Sequence, residues 1–206
     1  MASRMNRAQS ALATRQRMLG AAYDLIVASG YHNTTMAEIA ERAGVAVQTL
    51  YFTFGSKQSM LQHVYEHAVY GVSGSLPPEQ QDWFKDLGRT GTLGAALETM
   101  VENTATVLAR TAPLDEFVRA AASDPEAAKV RRTNEALRRT AWSAMLRKLE
   151  PLGILAEGLD HERATDIMMV LMSPTTYQSF VAEYGWTPGQ WRSWCVATLA
   201  HQLFRP

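Results

Sequence analysis

"TTMAEIAERAGVAVQTLYFTFGSKQSML", residues 34–61, places three helical patterns in one short run. Thr35-Met36-Ala37-Glu38 has the form of a capping box, in which a hydroxyl and a carboxylate three residues on satisfy the N–H groups that a helix start leaves free. Met36, Ile39, Ala40 and Ala43 follow at the spacing of one helix face, and Gly44 can close that helix and turn the chain. A short helix then spans Val47 to Phe52, and Ser56 caps another that starts at Lys57. Two helices joined by a tight Gly-containing turn form a helix-turn-helix, whose second helix can enter a DNA major groove.

A helix with that task carries two sets of residues. Val47 and Leu50 suit docking on the preceding helices, while Gln48, Thr49 and Phe52 fall on the exposed side. A glutamine amide can read adenine bidentately, and a threonine methyl can touch the methyl group of thymine. Tyr51 offers a phenol for a phosphate. Lys57 stands at a helix N-terminus, where backbone N–H groups and the ammonium both favour a phosphate.

Working outward, the chain has 206 residues, long enough for one domain of ordinary size plus a small one, and 47% of them are apolar, enough to fill a core. Its net charge is zero, yet Arg4, Arg7, Arg15, Arg17, Arg42 and Lys57 face only Asp24, Glu38 and Glu41 before residue 63. A basic first part on an acidic remainder points to a polyanion partner for the first part. The beginning of the sequence lacks the continuous apolar core of a signal peptide, and Ile167 to Met172 is too short to cross a bilayer, so a cytoplasmic protein without membrane contact is expected. One cysteine, Cys195, excludes an internal disulfide and a zinc site of several thiolates, and reads as a small core residue.

Nothing alternates with period two over a convincing length, whereas apolar stripes at helical spacing recur, so the fold class expected is all-α. A first helix is expected from about Ala13 to Ser29, with Met18, Ala22, Leu25 and Ile26 on one face and residues 1–12 as a flexible arm. Arg4 and Arg7 of that arm could reach a minor groove. "GVSGSLPPEQQ", residues 71–81, is rich in helix-breaking residues and sets the expected boundary between a DNA-binding domain, 1–70, and a second domain, 71–206.

In the second domain a helix is expected near Thr92 to Ala109, with Leu93, Leu97, Met100, Val101 and Leu108 on one face and Thr104 among them. Another carries Leu114, Phe117, Val118 and Ala121. Asp124-Pro125 opens a third, whose far end shows Trp142, Met145, Leu146 and Leu149 and whose arginines and lysines face solvent. A fourth follows Asp160 and presents Met168, Met169 and Met172 before Pro174. Met100, Thr104, Phe117, Trp142, Met145, Met168 and Met172 are the candidate lining of an adaptable apolar effector pocket, although the same residues would equally serve an ordinary core.

Tyr177, Phe180, Val181 and Tyr184 then fall at i, i+3, i+4 and i+7. Thr187-Pro188-Gly189-Gln190 caps a last helix whose Trp191, Trp194, Cys195, Val196, Leu199, Leu203 and Phe204 spread around most of its circumference. A helix apolar on so many sides needs cover on two, and a second copy would provide it in a four-helix interface. Tyr177, Phe180, Val181, Tyr184, Trp191, Trp194 and Thr198 are the candidate dimer residues.

Residues 34–61 resemble the helix-turn-helix of the tetracycline repressor (TetR) family of bacterial transcription regulators, with the Thr, Ile-Ala, Ala-Gly-Val, Thr-Leu-Tyr, Phe and Ser-Lys positions in register. "MSPTTYQSFVAEYGWTPGQWRSWCVATLAHQL", residues 172–203, is similar to the last two helices of many members. The resemblance implies a three-helix DNA-binding domain joined through its fourth helix to an effector-binding and dimerisation domain. It implies DNA contacts from Thr35, Gln48, Thr49, Tyr51, Phe52 and Lys57, with Ala46 and Thr53 at two further positions of that surface. Ala46 stands where many members have a Ser or Thr cap, and Thr53 where a His often follows the aromatic pair. The implied function is a homodimeric repressor that binds a palindromic double-stranded operator and is released by a small, largely apolar effector, without enzymatic activity, cofactor or metal.

Two other readings compete. One is a helical small-molecule binder or interaction module without operator recognition, suggested by Ala46 and Thr53. The other is a zinc metalloenzyme, because His63-Val64-Tyr65-Glu66-His67 matches H-x-x-E-H, two imidazoles one helical turn apart with a carboxylate beside them. A solvated helix face explains that motif as well, since zinc chemistry needs a third ligand and a substrate cleft.

Overall fold

The computed structural model describes residues 2–71, 80–89, 91–120 and 123–205. Among the described residues ten α-helices follow in order: α1 (Ala2–Ser29), α2 (Met36–Ala43), α3 (Val47–Phe54), α4 (Lys57–Tyr70), α5 (Asp82–Asp86), α6 (Leu93–Ala120), α7 (Pro125–Leu149), α8 (His161–Leu171), α9 (Pro174–Gln178) and α10 (Pro188–Leu203). A 3₁₀ turn, Glu150–Leu152, follows α7, and a π turn, Ser179–Glu183, follows α9. Among the described residues there is no strand; an isolated bridge joins Leu155 to Phe204. The all-α class is as expected.

The chain divides into two compact units, residues 1–74 with 113–131, and residues 75–112 with 132–206. Most of the expected break at 71–81 lies outside the described residues, as does Ala121.

In the first unit, α1 lays Met18, Leu19, Ala22 and Ile26 against Met36, Ile39 and Ala40 of α2, Leu50 and Phe54 of α3 and Met60, Leu61 and Val64 of α4. Gly30, at φ 84°, ends α1 with its N–H on the carbonyl of Ile26 at 2.8 Å. Leu114 and Val118 from the end of α6, and Ala127 and Val130 from the start of α7, complete this core. Helix α1 begins well before the expected Ala13. Residues 2–12 include three Ala and two Arg and contain neither Gly nor Pro, so nothing local stops the helix there. The side chains of Arg4 and Arg7 lie outside the description.

In the second unit, Leu97, Met100, Val101 and Leu108 of α6 share a core with Trp142, Met145, Leu146 and Leu149 of α7, Met168 of α8, Tyr177 of α9 and Trp191, Cys195, Leu199 and Leu203 of α10. Caps are local and strong. Asp124 accepts from the N–H groups of Glu126 and Ala127 at 2.8 and 3.2 Å, Asp160 from Arg163 at 2.8 Å, and Thr187 forms a reciprocal capping box with Gln190.

Three expectations change. The two helices expected over 92–109 and 114–121 are one, α6, with Pro113 inside it. Leu108 and Ala112 before the proline and Leu114 and Val118 after it are buried, so packing on both sides outweighs one missing backbone hydrogen bond. The stripe after Pro174 is not one α-helix. It passes into the π turn, where Tyr184 N–H reaches the carbonyl of Ser179, which shifts its later side chains away from regular spacing. And α10 is not apolar all round within its own unit: Trp191, Cys195, Leu199 and Leu203 form one buried face, while Trp194, Val196 and Thr198 are only half-covered.

Candidate nucleic-acid interface

The turn between α2 and α3 is built by backbone chemistry. Gly44 adopts φ 66°, ψ 41°, and its N–H and that of Val45 close on the last carbonyls of α2. This left-handed position favours glycine. Ala46 then starts α3 with no side-chain cap; the carbonyl of Ala46 accepts from Thr49 N–H at 2.9 Å.

The periodicity of α3 settles which side chains leave the protein. Leu50 and Phe54 are buried, and Val47 packs partly against the same core. The opposite side presents Gln48, Thr49, Tyr51 and Phe52, with Ala46 at its start. Phe52 is 93% exposed and Tyr51 50%. An almost fully exposed phenylalanine thus stands next to a half-exposed tyrosine on a helix whose other face is well packed. Thr53 is half-buried and donates its hydroxyl to the carbonyl of Thr49 at 2.7 Å, a back-bond within the helix.

Thr35 and Lys57 frame this helix, and both already have partners. Glu38 accepts from both the backbone N–H and the hydroxyl of Thr35, each at 2.8 Å, while the Thr35 oxygen accepts from Glu38 N–H at 3.2 Å. Those hydrogen bonds hold the Glu38 carboxyl below its usual range, with Lys57 adding a smaller effect in the same direction. Lys57 is the first residue of α4, which Ser56 caps through Ser59 N–H at 3.1 Å. Its Nζ lies 4.3 Å from the centre of the Tyr31 ring and 3.4 Å from the carbonyl of His32. Desolvation lowers the Lys57 pKa, against the opposing pull of Asp124 and Glu38. Burial, with smaller contributions from Asp124 and Glu126, pushes the Tyr31 phenol up to about 12.

Two residues of the H-x-x-E-H stretch contact each other on α4. His63 Nδ1 lies 2.9 Å from Glu66 of the same motif, and the His63 ring packs on Phe54 at 5.5 Å. Among the described residues no three His, Cys, Asp or Glu side chains come together as a metal site, and no helix is long and apolar enough to cross a membrane.

Of the candidate effector residues, Met100, Trp142, Met145, Met168 and Met172 belong to the core of the second unit, with Thr104 buried on α6. Phe117 does not join them: it packs in the first unit, where a Cβ at Gly30 would lie 3.4 Å from its ring. Two indoles stand out in the second core. The ring N–H groups of Trp142 and Trp191 are buried without a hydrogen-bond partner, a feature absent from the apolar pattern of the sequence. Of the candidate dimer residues, Tyr177 and Trp191 are buried against each other, ring centres 4.9 Å apart. Phe180, Val181, Trp194 and Thr198 are half-exposed and Tyr184 exposed. Phe180 stacks with Trp186 and Trp194, each at 4.6 Å, so Trp186 joins a cluster that the stripe alone did not include.

Three packed helices with a glycine turn and an outward-facing short helix define a helix-turn-helix module. Residues 18–64 match the family described as bacterial regulatory proteins, tetR family. It is 35% identical over 79 residues to the HTH-type transcriptional regulator YvkB of Bacillus subtilis, covering 38% of this chain and 42% of that one. It is 32% identical over 95 residues to TtgW of Pseudomonas putida, covering 46% of this chain and 66% of that one. The chain thus spans less than two thirds of the length of either relative. The fold is shared further. The structure of FadR from Bacillus subtilis in complex with stearoyl-CoA superposes with a TM-score of 0.68 at 20% identity, over 89% of this chain and 96% of that one. NalD, the secondary repressor of a multidrug efflux pump in Pseudomonas aeruginosa, does so with a TM-score of 0.65 at 17% identity, over 93% and 97%.

Proposed function

We propose that the protein is a DNA-binding transcriptional regulator, a homodimeric repressor that holds a palindromic operator with two copies of α3 and releases it on binding a small, largely apolar effector. The observation that carries this reading is the two-sidedness of α3: Leu50 and Phe54 fix it to the core, and Gln48, Thr49, Tyr51 and Phe52 project from it. Gln48 and Thr49 supply base-edge chemistry; Tyr51, Thr53 and Lys57 supply phosphate contacts, Lys57 after leaving Tyr31; Thr35 and Ala46 line the approach.

The remaining parts follow from the second unit. The half-exposed cluster of Phe180, Trp186 and Trp194, flanked by Tyr184, Val181 and Thr198, is the surface on which a second copy would pack. Two copies would place two reading helices about 34 to 36 Å apart, one turn of DNA. The core around Met100, Trp142, Met145, Met168 and Met172 is flexible in its side chains and holds unpaired indole N–H groups on Trp142 and Trp191, which suits a largely apolar effector carrying a hydrogen-bond acceptor. Such an effector releases DNA by its differential affinity for two spacings of the reading helices. TetR relatives named as regulators, and a structural neighbour named as a repressor, support the reading.

Selection of duplexes from a random DNA pool by the purified protein tests it. Enrichment of a two-fold symmetric site, bound by a dimer, is the expected result; recovery of no sequence above background would contradict it. Phe180→Asp with Trp194→Glu should give helical monomers that no longer retain that site.

A further inference from the structure

Away from α3 and the aromatic cluster, three side chains of the second unit meet in the order that nucleophilic catalysis uses. Ser143 Oγ, on α7, lies 2.8 Å from His161 Nε2, at the first residue of α8. His161 Nδ1 lies 2.6 Å from Glu150 Oε1, in the 3₁₀ turn after α7. A carboxylate on Nδ1 selects the tautomer with its proton there, leaving Nε2 as the acceptor of the serine proton. The order is nucleophile, base, orienting carboxylate.

The serine makes an unusual choice for a helical hydroxyl. Thr53, Thr99, Thr140 and Thr165 each donate to the carbonyl four residues earlier in their helices, the usual local bond. Ser143 instead meets the imidazole. The group is open to solvent: the His161 and Glu150 side chains keep 31% and 35% of their exposure. Along α7, Arg139 and Arg147 lie one turn to either side of Ser143 and share its face. Arg139 is held by Asp166 and Glu162 of α8, whereas Arg147 is exposed.

We propose that Ser143, His161 and Glu150 form an acyl-transfer site for small, activated carboxylic esters. Ser143 Oγ attacks the ester carbonyl carbon as His161 Nε2 takes its proton, and Arg147 faces the negative charge of the tetrahedral intermediate. Collapse breaks the bond to the alcohol or phenol, which leaves with the proton returned by His161, and Ser143 carries the acyl group. Water, deprotonated by His161, then attacks the acyl-serine, releasing the carboxylic acid and restoring the hydroxyl. Ser143 and His161 are the catalytic residues; Glu150 is a positioning residue. No oxidant, metal or further co-reactant is needed.

The test uses the intact protein and 4-nitrophenyl acetate at mildly alkaline pH, following 4-nitrophenolate release and locating the acetyl group by peptide mass spectrometry. Acid quenching early in the reaction should trap up to one acetyl group per chain, on Ser143, before water removes it. His161→Gln, which keeps a polar side chain at that position, should slow that labelling by about 100-fold or more. Glu150→Gln should slow it too, with Glu150→Asp restoring part of the rate, a pattern that loss of packing alone would not give. Far-UV circular dichroism should show helical content unchanged in these variants. Absence of acetyl-Ser143 in the folded wild-type protein, or equal labelling of Ser143 in His161→Gln, would overturn the proposal.

Discussion

Lys57 Nζ sits 4.3 Å from the centre of the Tyr31 ring, so the cation at the start of α4 is docked on its own unit before any phosphate arrives. Lys57→Ala should therefore act twice. Loss of the cation–π contact should lower stability by about 0.5 to 1 kcal/mol, seen as a lower denaturation midpoint. Loss of a phosphate contact should weaken binding to all DNA sequences alike, and reduce the log–log salt slope by about one unit per reading helix.

Tyr31 makes the pH dependence specific. Its phenol titrates at about 12 in the folded chain against an ordinary 10.0, because burial disfavours the phenolate. The folded state then holds the proton more tightly than the unfolded one. The associated stability is complete below pH 10 and is lost as pH rises through 12, by on the order of 2 kcal/mol. The lowered Lys57 value works in the opposite sense, since a lysine that loses its proton more easily when folded adds stability as pH rises toward its ordinary value of 10.5. Urea denaturation of wild type and Tyr31→Phe across this range should show a steeper alkaline fall in the wild type.

Thr35→Ala removes the hydroxyl half of the capping box of α2, in which the hydroxyl accepts from Glu38 N–H and donates to its carboxylate, and leaves the Thr35 backbone N–H on Glu38. The expected cost is about 1 kcal/mol, with Thr35→Ser close to wild type by thermal melting.

Gly88→Ala is the strongest stability prediction. At φ +82° a Cβ there would lie 1.9 Å from the backbone oxygen of Lys148, which cannot move aside without displacing α7. Strain and overlap together should cost about 3 kcal/mol or more in chemical denaturation. DNA-binding variants in α3 should leave that midpoint unchanged.

The helix-turn-helix was legible in the sequence because its determinants are local: the Thr35–Glu38 box, the Gly44 turn and the Ser56 cap each act within a few residues. The continuity of α6 through Pro113 was not legible, because burial on both sides of the proline is a long-range effect. Trp191 was placed on a shared surface because spacing alone does not say which face of α10 Tyr177 covers. Ser143, Glu150 and His161 form no spacing motif. His161 is 18 positions from Ser143 and 11 from Glu150, on three elements, so only folding brings them together.

The most direct measurement concerns Gln48. Wild type, Gln48→Ala and Lys57→Ala are titrated against the selected operator and a scrambled duplex at several salt concentrations, with fluorescence anisotropy as the readout. Gln48→Ala should lose about 1 to 3 kcal/mol on the operator per reading helix and little on scrambled DNA, with the salt slope unchanged. Lys57→Ala should lose affinity on both. Equal losses of Gln48→Ala on the two duplexes, with Lys57→Ala affecting the operator alone, would contradict the assignment of α3 as the reading helix.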